Sequence, residues 1–161
     1  MTKSKYVRDN LAQKDDRNYT YSAFISYSND EQDFIIKEFI PILEERDNVQ
    51  LCIHKRDFLP GNEISYNITS SIHESRNVIC IITKSFLESY YCMFEFNMAR
   101  MESIYARNGN RMLFLVFYEQ LRPQDLPLVM LELVEKGSYI EYPNDEQGNI
   151  VFWDKLKEAM T

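Results

Sequence analysis

Glu95 is the residue whose neighbours in the sequence most favour acid or base chemistry. It lies between Phe94 and Phe96 in a segment rich in apolar residues. Aromatic neighbours that keep water from a carboxyl group raise its pKa. These neighbours would suit an acid or a base, but they alone predict no catalytic residue. The competing explanation is structural, with Glu95 bonded to a neighbouring backbone or loop group.

A second stretch, 51–62, combines charged groups, apolar side chains and a turn. After a strand-like start it reads His54, Lys55, Arg56, Asp57, Phe58, Leu59, Pro60 and Gly61. Pro60 fixes its own φ and Gly61 permits a positive φ, so the pair predicts a tight turn. Such a turn leaves Phe58 and Leu59 few ways back into a core. Exposed apolar residues in a loop are typical of a contact surface.

The charged residues of this loop allow two interpretations. Arg56 and Asp57 can contribute to contact with a partner, which is the interpretation that the exposed apolar neighbours favour. Alternatively, they only pair with each other or cap a helix that begins near Asn62.

Other kinds of reactive site find little support. His54 and His73 have no serine or cysteine at the spacing of a hydrolase nucleophile. Cys52, Cys80 and Cys92 form no C-x-x-C pair and have no zinc-type spacing with the histidines. We expect three reduced, buried thiols, with redox sensing by Cys52 or Cys92 as the alternative.

The acidic pair Asp30 and Glu31 is better explained by the start of a helix than by a metal ion. No metal and no cofactor are predicted.

Composition predicts one globular domain. The 161 residues are 45% hydrophobic and 14% aromatic, and the formal net charge is −7. This charge disfavours nucleic-acid binding, which needs a basic surface. No apolar run approaches the length of a membrane span. Residues 1–18 are expected to be a flexible lead-in, either an ordinary solvated terminus or a basic segment just inside a membrane. The domain itself is expected over 19–161.

Apolar patterns predict strands at 21–27, 49–53, 77–83, 111–117 and 138–142. Helices are predicted at 31–46, 63–75, 85–106, 128–135 and 150–160. Pro41 is expected to bend the first of these helices, and a break is expected near Ser89 in the third. Alternating strands and helices predict an α/β fold of the flavodoxin-like, three-layer type, with a five-stranded parallel sheet in the order 2-1-3-4-5. The loop after strand two then lies at the carboxyl edge of the sheet, where such folds carry functional loops.

The helix after strand three is a second candidate surface. Its apolar residues spread over much of the circumference and comprise Met93, Phe94, Phe96, Met98, Met101 and Ile104. Either this helix is deeply sandwiched, or its surplus apolar residues form an adaptable contact face.

Three stretches together resemble the Toll/interleukin-1 receptor (TIR) domain. They are Tyr21-Ser22-Ala23-Phe24-Ile25-Ser26-Tyr27-Ser28, then Leu51-Cys52 with Arg56-Asp57 and Pro60-Gly61, and finally Phe152-Trp153. They are similar to the family's three boxes in order and spacing. The 51–62 loop and the region of Cys92 are most similar to those of Toll-like receptors.

The resemblance implies a cytoplasmic signalling module in innate immunity. Its partners would be TIR domains of the same receptor, as a homodimer or oligomer, and of TIR-bearing adaptors. The loop called BB would make the contact, which assigns partner binding to Arg56, Asp57, Phe58, Leu59, Pro60 and Gly61. A membrane would be reached only through a spanning helix outside this chain, at the inner face of the membrane.

Some TIR domains cleave NAD+ with a glutamate whose position Glu95 resembles. Enzymatic members also need a nucleotide pocket near the end of the first strand. Here Ser28-Asn29-Asp30 offers no basic residue for a diphosphate and no glycine-rich turn. The resemblance therefore predicts a binding module without catalysis, and NAD+ glycohydrolase activity through Glu95 is the alternative.

Overall fold

The sheet has five parallel strands in the order β2-β1-β3-β4-β5, as predicted. The structure, a computed structural model, describes residues 18–54 and 63–160. The strands are β1 (Tyr21–Ser26), β2 (Leu51–Ile53), β3 (Ser75–Ile82), β4 (Leu113–Phe117) and β5 (Tyr139–Glu141). In the register, Phe24 lies between Cys52 of β2 and Val78 of β3. Residues 1–17 lie outside the described ranges, so the boundary between lead-in and domain stays a prediction.

Six helices connect and cover these strands in the described ranges. They are α1 (Gln32–Phe34, continued by the π-helical segment Ile35–Arg46), α2 (Ile64–His73), α3 (Lys84–Glu88), α4 (Tyr90–Met101, continued by the π-helical segment Glu102–Ala106), α5 (Leu128–Glu135) and α6 (Glu146–Ala159). Short 3₁₀ turns, Asn29–Glu31 and Pro123–Asp125, precede α1 and α5. Across 18–54 and 63–160, every helix is too short or too polar to cross a membrane.

The strands divide their side chains between two cores, because successive residues of a strand point to opposite faces. On one face, Ile25 and Ile79 pack with Phe39 of α1 and Trp153 of α6. On the other face, apolar residues of the same strands pack with α2, α3, α4 and α5, in a cluster that includes Phe24, Cys80, Ile82, Ile68, Phe86, Phe96 and Met130. The arrangement confirms the three-layer fold.

Local sequence signals account for the helix boundaries. Ser89 interrupts the helical region after β3 in an extended conformation, and its hydroxyl accepts a hydrogen bond from the Cys92 N–H. Pro41 lies inside the π-helical segment of α1, whose wider turn suits a residue without an N–H donor. The last helix begins at Glu146, four residues before the predicted start, because the Asp145 carboxylate caps it through the Gly148 N–H at 2.6 Å.

Candidate functional site

The predicted contact loop connects β2 to α2. Since β2 ends at Ile53, the loop leaves the sheet at its carboxyl edge. The predicted partner-binding residues Arg56, Asp57, Phe58, Leu59, Pro60 and Gly61 lie outside the described residues. The role of these residues in partner binding therefore stays a prediction. So does the alternative, in which Arg56 and Asp57 only pair with each other or cap a helix.

The two ends of this loop are described, and they differ in character. At one end, His54 stacks on Tyr27 with ring centroids 5.2 Å apart, and Tyr27 is buried. This stacking joins the start of the loop to the residue that follows β1. At the other end, α2 begins with exposed apolar side chains, since Ile64 is 53% exposed and Tyr66 is 60% exposed. Apolar surface therefore adjoins the loop on α2.

Glu95 is a buried residue of α4 that reaches the end of β1. Its side chain is only 3% exposed, and its Oε1 accepts a hydrogen bond of 3.1 Å from the Ser26 hydroxyl. The structural explanation for Glu95 had predicted a backbone or loop partner. The partner is instead a side chain of the central sheet, 69 residues away in the sequence. Glu95 therefore joins α4 to β1.

Burial decides the protonation of this carboxyl group. Desolvation raises the pKa of Glu95 to about 8, and the hydrogen bond from Ser26 only partly opposes it. The group is thus mostly protonated at pH 7. Burial also raises the pKa of the Cys80 thiol well above its usual range and that of Cys92 to about 11, and Glu95 adds to both shifts. All three cysteines are free and buried, as predicted.

The turn after β1 carries acidic groups. The Ser28 side chain accepts from the Asp30 N–H at 3.3 Å and so caps the turn, while Asp30 accepts from the Ser85 hydroxyl. Glu31 is buried, and desolvation raises its pKa, with the charges of Asp30 and Glu119 adding to that shift. A negative potential here opposes binding of an anionic diphosphate.

Helix α4 is partly sandwiched and partly exposed, so it combines the two alternatives that its apolar composition allowed. Phe96 is fully buried, and Met93, Phe94 and Met98 pack against the core. Further apolar residues of the helix are exposed and comprise Tyr90, Tyr91, Met101, Ile104 and Tyr105. The helix is therefore sandwiched along one side and presents apolar groups to solvent along another.

Sequence reasoning missed Arg107, which organises the amino edge of the sheet. Its guanidinium is 5% exposed and donates to the backbone carbonyls of Ile72, His73 and Arg76 and to the Glu102 carboxylate at 2.9 to 3.1 Å. It also lies 4.7 Å from the ring centroid of Tyr19. A lone arginine after a helix gives no sequence signal for such a role. Within 18–54 and 63–160, no group of three His, Cys, Asp or Glu side chains is placed to hold a metal ion.

Comparisons with known proteins agree with this architecture. The TIR domain family profile matches residues 20–136. Toll-like receptor 4 of Pinctada imbricata is 42% identical over 163 aligned positions, which cover 100% of this chain and 18% of that receptor. Toll-like receptor 13 of Mus musculus is 29% identical over 91% of this chain and 15% of the receptor. This chain therefore spans about a fifth or less of the receptors that it matches.

Solved structures give the same result. The TIR domain of the Toll-related receptor TRR-2 from Hydra magnipapillata superimposes with a TM-score of 0.71 at 20% identity, covering 88% of this chain and 98% of that chain. A metazoan TIR-STING receptor from C. gigas in complex with 2',3'-cGAMP superimposes at 0.67 and 32% identity, covering 89% and 40%. The chain is homologous to the TIR regions of Toll-like receptors. Because the family profile matches most of its length, this chain belongs to the TIR domain family.

Proposed function

We propose that this chain is the signalling module of a Toll-like receptor and that it acts by associating with other TIR domains. It pairs with a second copy of the same receptor and then recruits TIR-bearing adaptors. The observation that carries the proposal is the TIR match over residues 20–136, together with Toll-like receptors that align with 100% and 91% of the chain. The innate immune setting of those receptors is the setting we propose for this chain.

The contact surface in this proposal is the loop between β2 and α2, with Arg56, Asp57, Phe58, Leu59, Pro60 and Gly61 as the contact residues. Two features of its described flanks support this choice. The stacking of His54 on Tyr27 holds the start of the loop against the sheet, and a loop held at its base loses less entropy on binding. The exposed Ile64 and Tyr66 extend the apolar surface along α2.

The relatives support a proposal for the cellular setting. They are receptors of which this chain matches 18% or less, so we propose that the remainder of the protein includes a membrane-spanning helix. The chain would then lie on the cytoplasmic side of that membrane. No catalysis is needed for this role.

NAD+ cleavage by Glu95 is the second candidate function. One observation favours it, since a carboxyl group whose pKa is raised to about 8 is a competent general acid at neutral pH. Two observations oppose it. The carboxyl group is 3% exposed and already bonded to Ser26, and the nearby turn carries Asp30 and Glu31 where a diphosphate would need positive charge.

The proposal is tested in the full-length receptor with Pro60→His, a change in the predicted loop. Two differently tagged copies are expressed together and one is precipitated. We expect the wild-type copies to precipitate together and the variant copies to separate, with equal expression of both. Equal recovery of wild-type and variant pairs, at equal expression, would exclude the loop as the pairing surface.

A further inference from the structure

Helix α4 and its π-helical continuation end in a patch of exposed apolar side chains. Met101 is 47% exposed, Ile104 is 46% exposed and Tyr105 is 78% exposed. Side chains three and four residues apart lie on the same side of a helix, so these three form one patch. We call this patch the α4 tip. A contiguous group of large apolar side chains in water is typical of a surface that contacts another molecule or a membrane.

The α4 tip lies at the amino edge of the sheet, since β4 begins soon after it at Leu113. The chain reaches β1 at the same edge. Tyr19, two residues before β1, lies against the guanidinium groups of Arg107 and Arg76, which are 4.7 and 5.2 Å from its ring centroid. The lead-in of residues 1–17 therefore joins the domain beside the α4 tip.

The segment that carries the tip is basic, although the whole chain has a net charge of −7. Its charged residues between positions 100 and 112 are one acid, Glu102, and three arginines, Arg100, Arg107 and Arg111. Glu102 accepts a 3.0 Å bond from the Arg107 Nε, so these two charges compensate each other. Arg111 donates to the backbone carbonyl of Lys136, and that bond leaves the positive charge of Arg111 in place. Exposed positive charge therefore adjoins the α4 tip.

A cleft beside the tip has room for a phosphate-bearing head group. Its volume is about 540 Å³, and Ile104 of the tip lies in its wall. The charged residues that line it in the described ranges are Arg100, Arg111, Lys136 and Glu132. Three cations and one acid favour an anionic ligand, and guanidinium groups match the geometry of phosphate oxygens. The cleft therefore suits a phosphate group.

An anionic bilayer surface fits both the cleft and the patch. A free phosphate ion would use the cations of the cleft and leave the apolar side chains of the tip in water. A bilayer uses both, because apolar side chains enter the boundary between head groups and acyl chains while cations meet the lipid phosphates. Tyr105 suits this boundary, since its ring is apolar and its hydroxyl group is polar.

We propose that the α4 tip docks on anionic lipids of the cytoplasmic leaflet, an inference that rests on the membrane-bound setting proposed above. Met101, Ile104 and Tyr105 enter the head-group boundary, and Arg100 and Arg111 bind lipid phosphate. Docking by the amino edge turns the carboxyl edge of the sheet away from the membrane. The predicted contact loop then faces the cytoplasm, where other TIR domains can reach it.

The net charge of −7 does not prevent this docking. Asp30, Glu31 and Glu119 follow β1 and β4, so these acids lie at the carboxyl edge. Strand β3 has eight residues, and the two edges are therefore roughly 25 Å apart. Over a Debye length of about 8 Å the repulsion from such acids is largely screened. Glu74 is an exposed acid at the amino edge, so one chain docks weakly, as suits a domain that is already tethered.

The first test measures binding of the full 161-residue chain to lipid vesicles. Vesicles of phosphatidylcholine with about a third phosphatidylserine are compared with vesicles of phosphatidylcholine alone. We expect binding to the anionic vesicles only, and Tyr105→Asp should raise the Kd about tenfold. Tyr90→Asp is the matched control, because Tyr90 is 76% exposed on the same helix, roughly 22 Å from Tyr105 along its axis. Its Kd should stay within about twofold of wild type, with Trp153 fluorescence unchanged in both variants.

Four results of the vesicle test would overturn the proposal. Equal weakening in both variants would show attraction or repulsion by net charge alone. Undiminished binding of Tyr105→Asp would show that another part of the chain meets the lipid. Release of the bound chain by millimolar inorganic phosphate, at constant ionic strength, would identify a free anion as the ligand. The fourth result is a wild-type chain that does not bind the anionic vesicles.

The second test measures orientation by NMR, with the chain bound to nanodiscs of the same anionic lipids that carry a spin label on the head group. The amide signals of residues 101–109 should broaden, and those of Asp30 and Glu119 at the carboxyl edge should keep their intensity. Broadening at the carboxyl edge instead would overturn the proposed docking. Neither test depends on pairing of TIR domains. Failure of docking therefore leaves the proposed function intact, and loss of pairing in Pro60→His leaves the docking proposal intact.

Discussion

The Ser26 hydroxyl, at the end of β1, donates a 3.1 Å hydrogen bond to the carboxyl group of Glu95 on α4. The bond spans the interface between the central sheet and a covering helix. Because Glu95 is buried, its pKa is raised to about 8, and the neutral form of the group is the one that the folded chain favours near pH 7. The burial and hydrogen bond of Glu95 are therefore explained by a structural role that joins α4 to the sheet.

Replacement of Glu95 with glutamine should flatten the pH dependence of stability. The folded state holds a proton that the unfolded state releases above the ordinary pKa of 4.5, so the free energy of unfolding falls as pH rises from there to about 8. Glu95→Gln removes this effect and keeps an acceptor for Ser26. The variant should gain stability relative to wild type by about 1 kcal/mol per pH unit across that window, with no further gain above pH 8.

Urea unfolding measures this difference in the free energy of unfolding. The unfolding is monitored by the fluorescence of Trp153, which is the sole tryptophan and is buried. Glu31, Cys80 and Cys92 are present in both proteins, so their titrations largely cancel in the comparison. A difference that does not change between pH 5 and pH 8 would show that Glu95 is ionised in the folded chain.

The wild-type chain should release no nicotinamide from NAD+. The reason is that Glu95 is enclosed and bonded to Ser26. The measurement is nicotinamide formation by a concentrated or crowded sample, with Glu95→Ala as the comparison. Turnover by the wild type that disappears in Glu95→Ala would establish the enzymatic alternative. Turnover that persists in the variant would point to a contaminant.

Arg107→Met should destabilise the fold by about 2 to 4 kcal/mol. The change leaves three carbonyl acceptors, on Ile72, His73 and Arg76, without this donor in a buried region. Arg111→Met is the matched control, because Arg111 donates one exposed bond to the Lys136 carbonyl. Its cost should stay below about 1 kcal/mol. Similar midpoints of urea unfolding for the two variants would refute the role assigned to Arg107.

The buried strands could be predicted because parallel strands are apolar on both faces, and their order followed from the alternation of strands with helices in a flavodoxin-like fold. Val78-Ile79-Cys80-Ile81-Ile82 in β3 is such a run, and all five residues are fully buried. The start of α6 was predicted four residues late, since its first turn is polar and held by Asp145 rather than by an apolar stripe.

The contacts of single side chains could not be predicted in the same way. Ser26 and Glu95 are 69 residues apart, and no local pattern joins them. Such features depend on tertiary placement, which sequence periodicity does not encode.

Sedimentation of the purified chain over a range of concentrations tests the central claim most directly. The wild type should self-associate as concentration rises. Pro60→His should weaken that association about tenfold, with Trp153 fluorescence and circular dichroism unchanged. Pro123→His, a change at an exposed proline that begins the 3₁₀ turn before α5, should associate like wild type. Undiminished association of folded Pro60→His, or equal weakening in both variants, would contradict the assignment of TIR contact to the loop between β2 and α2.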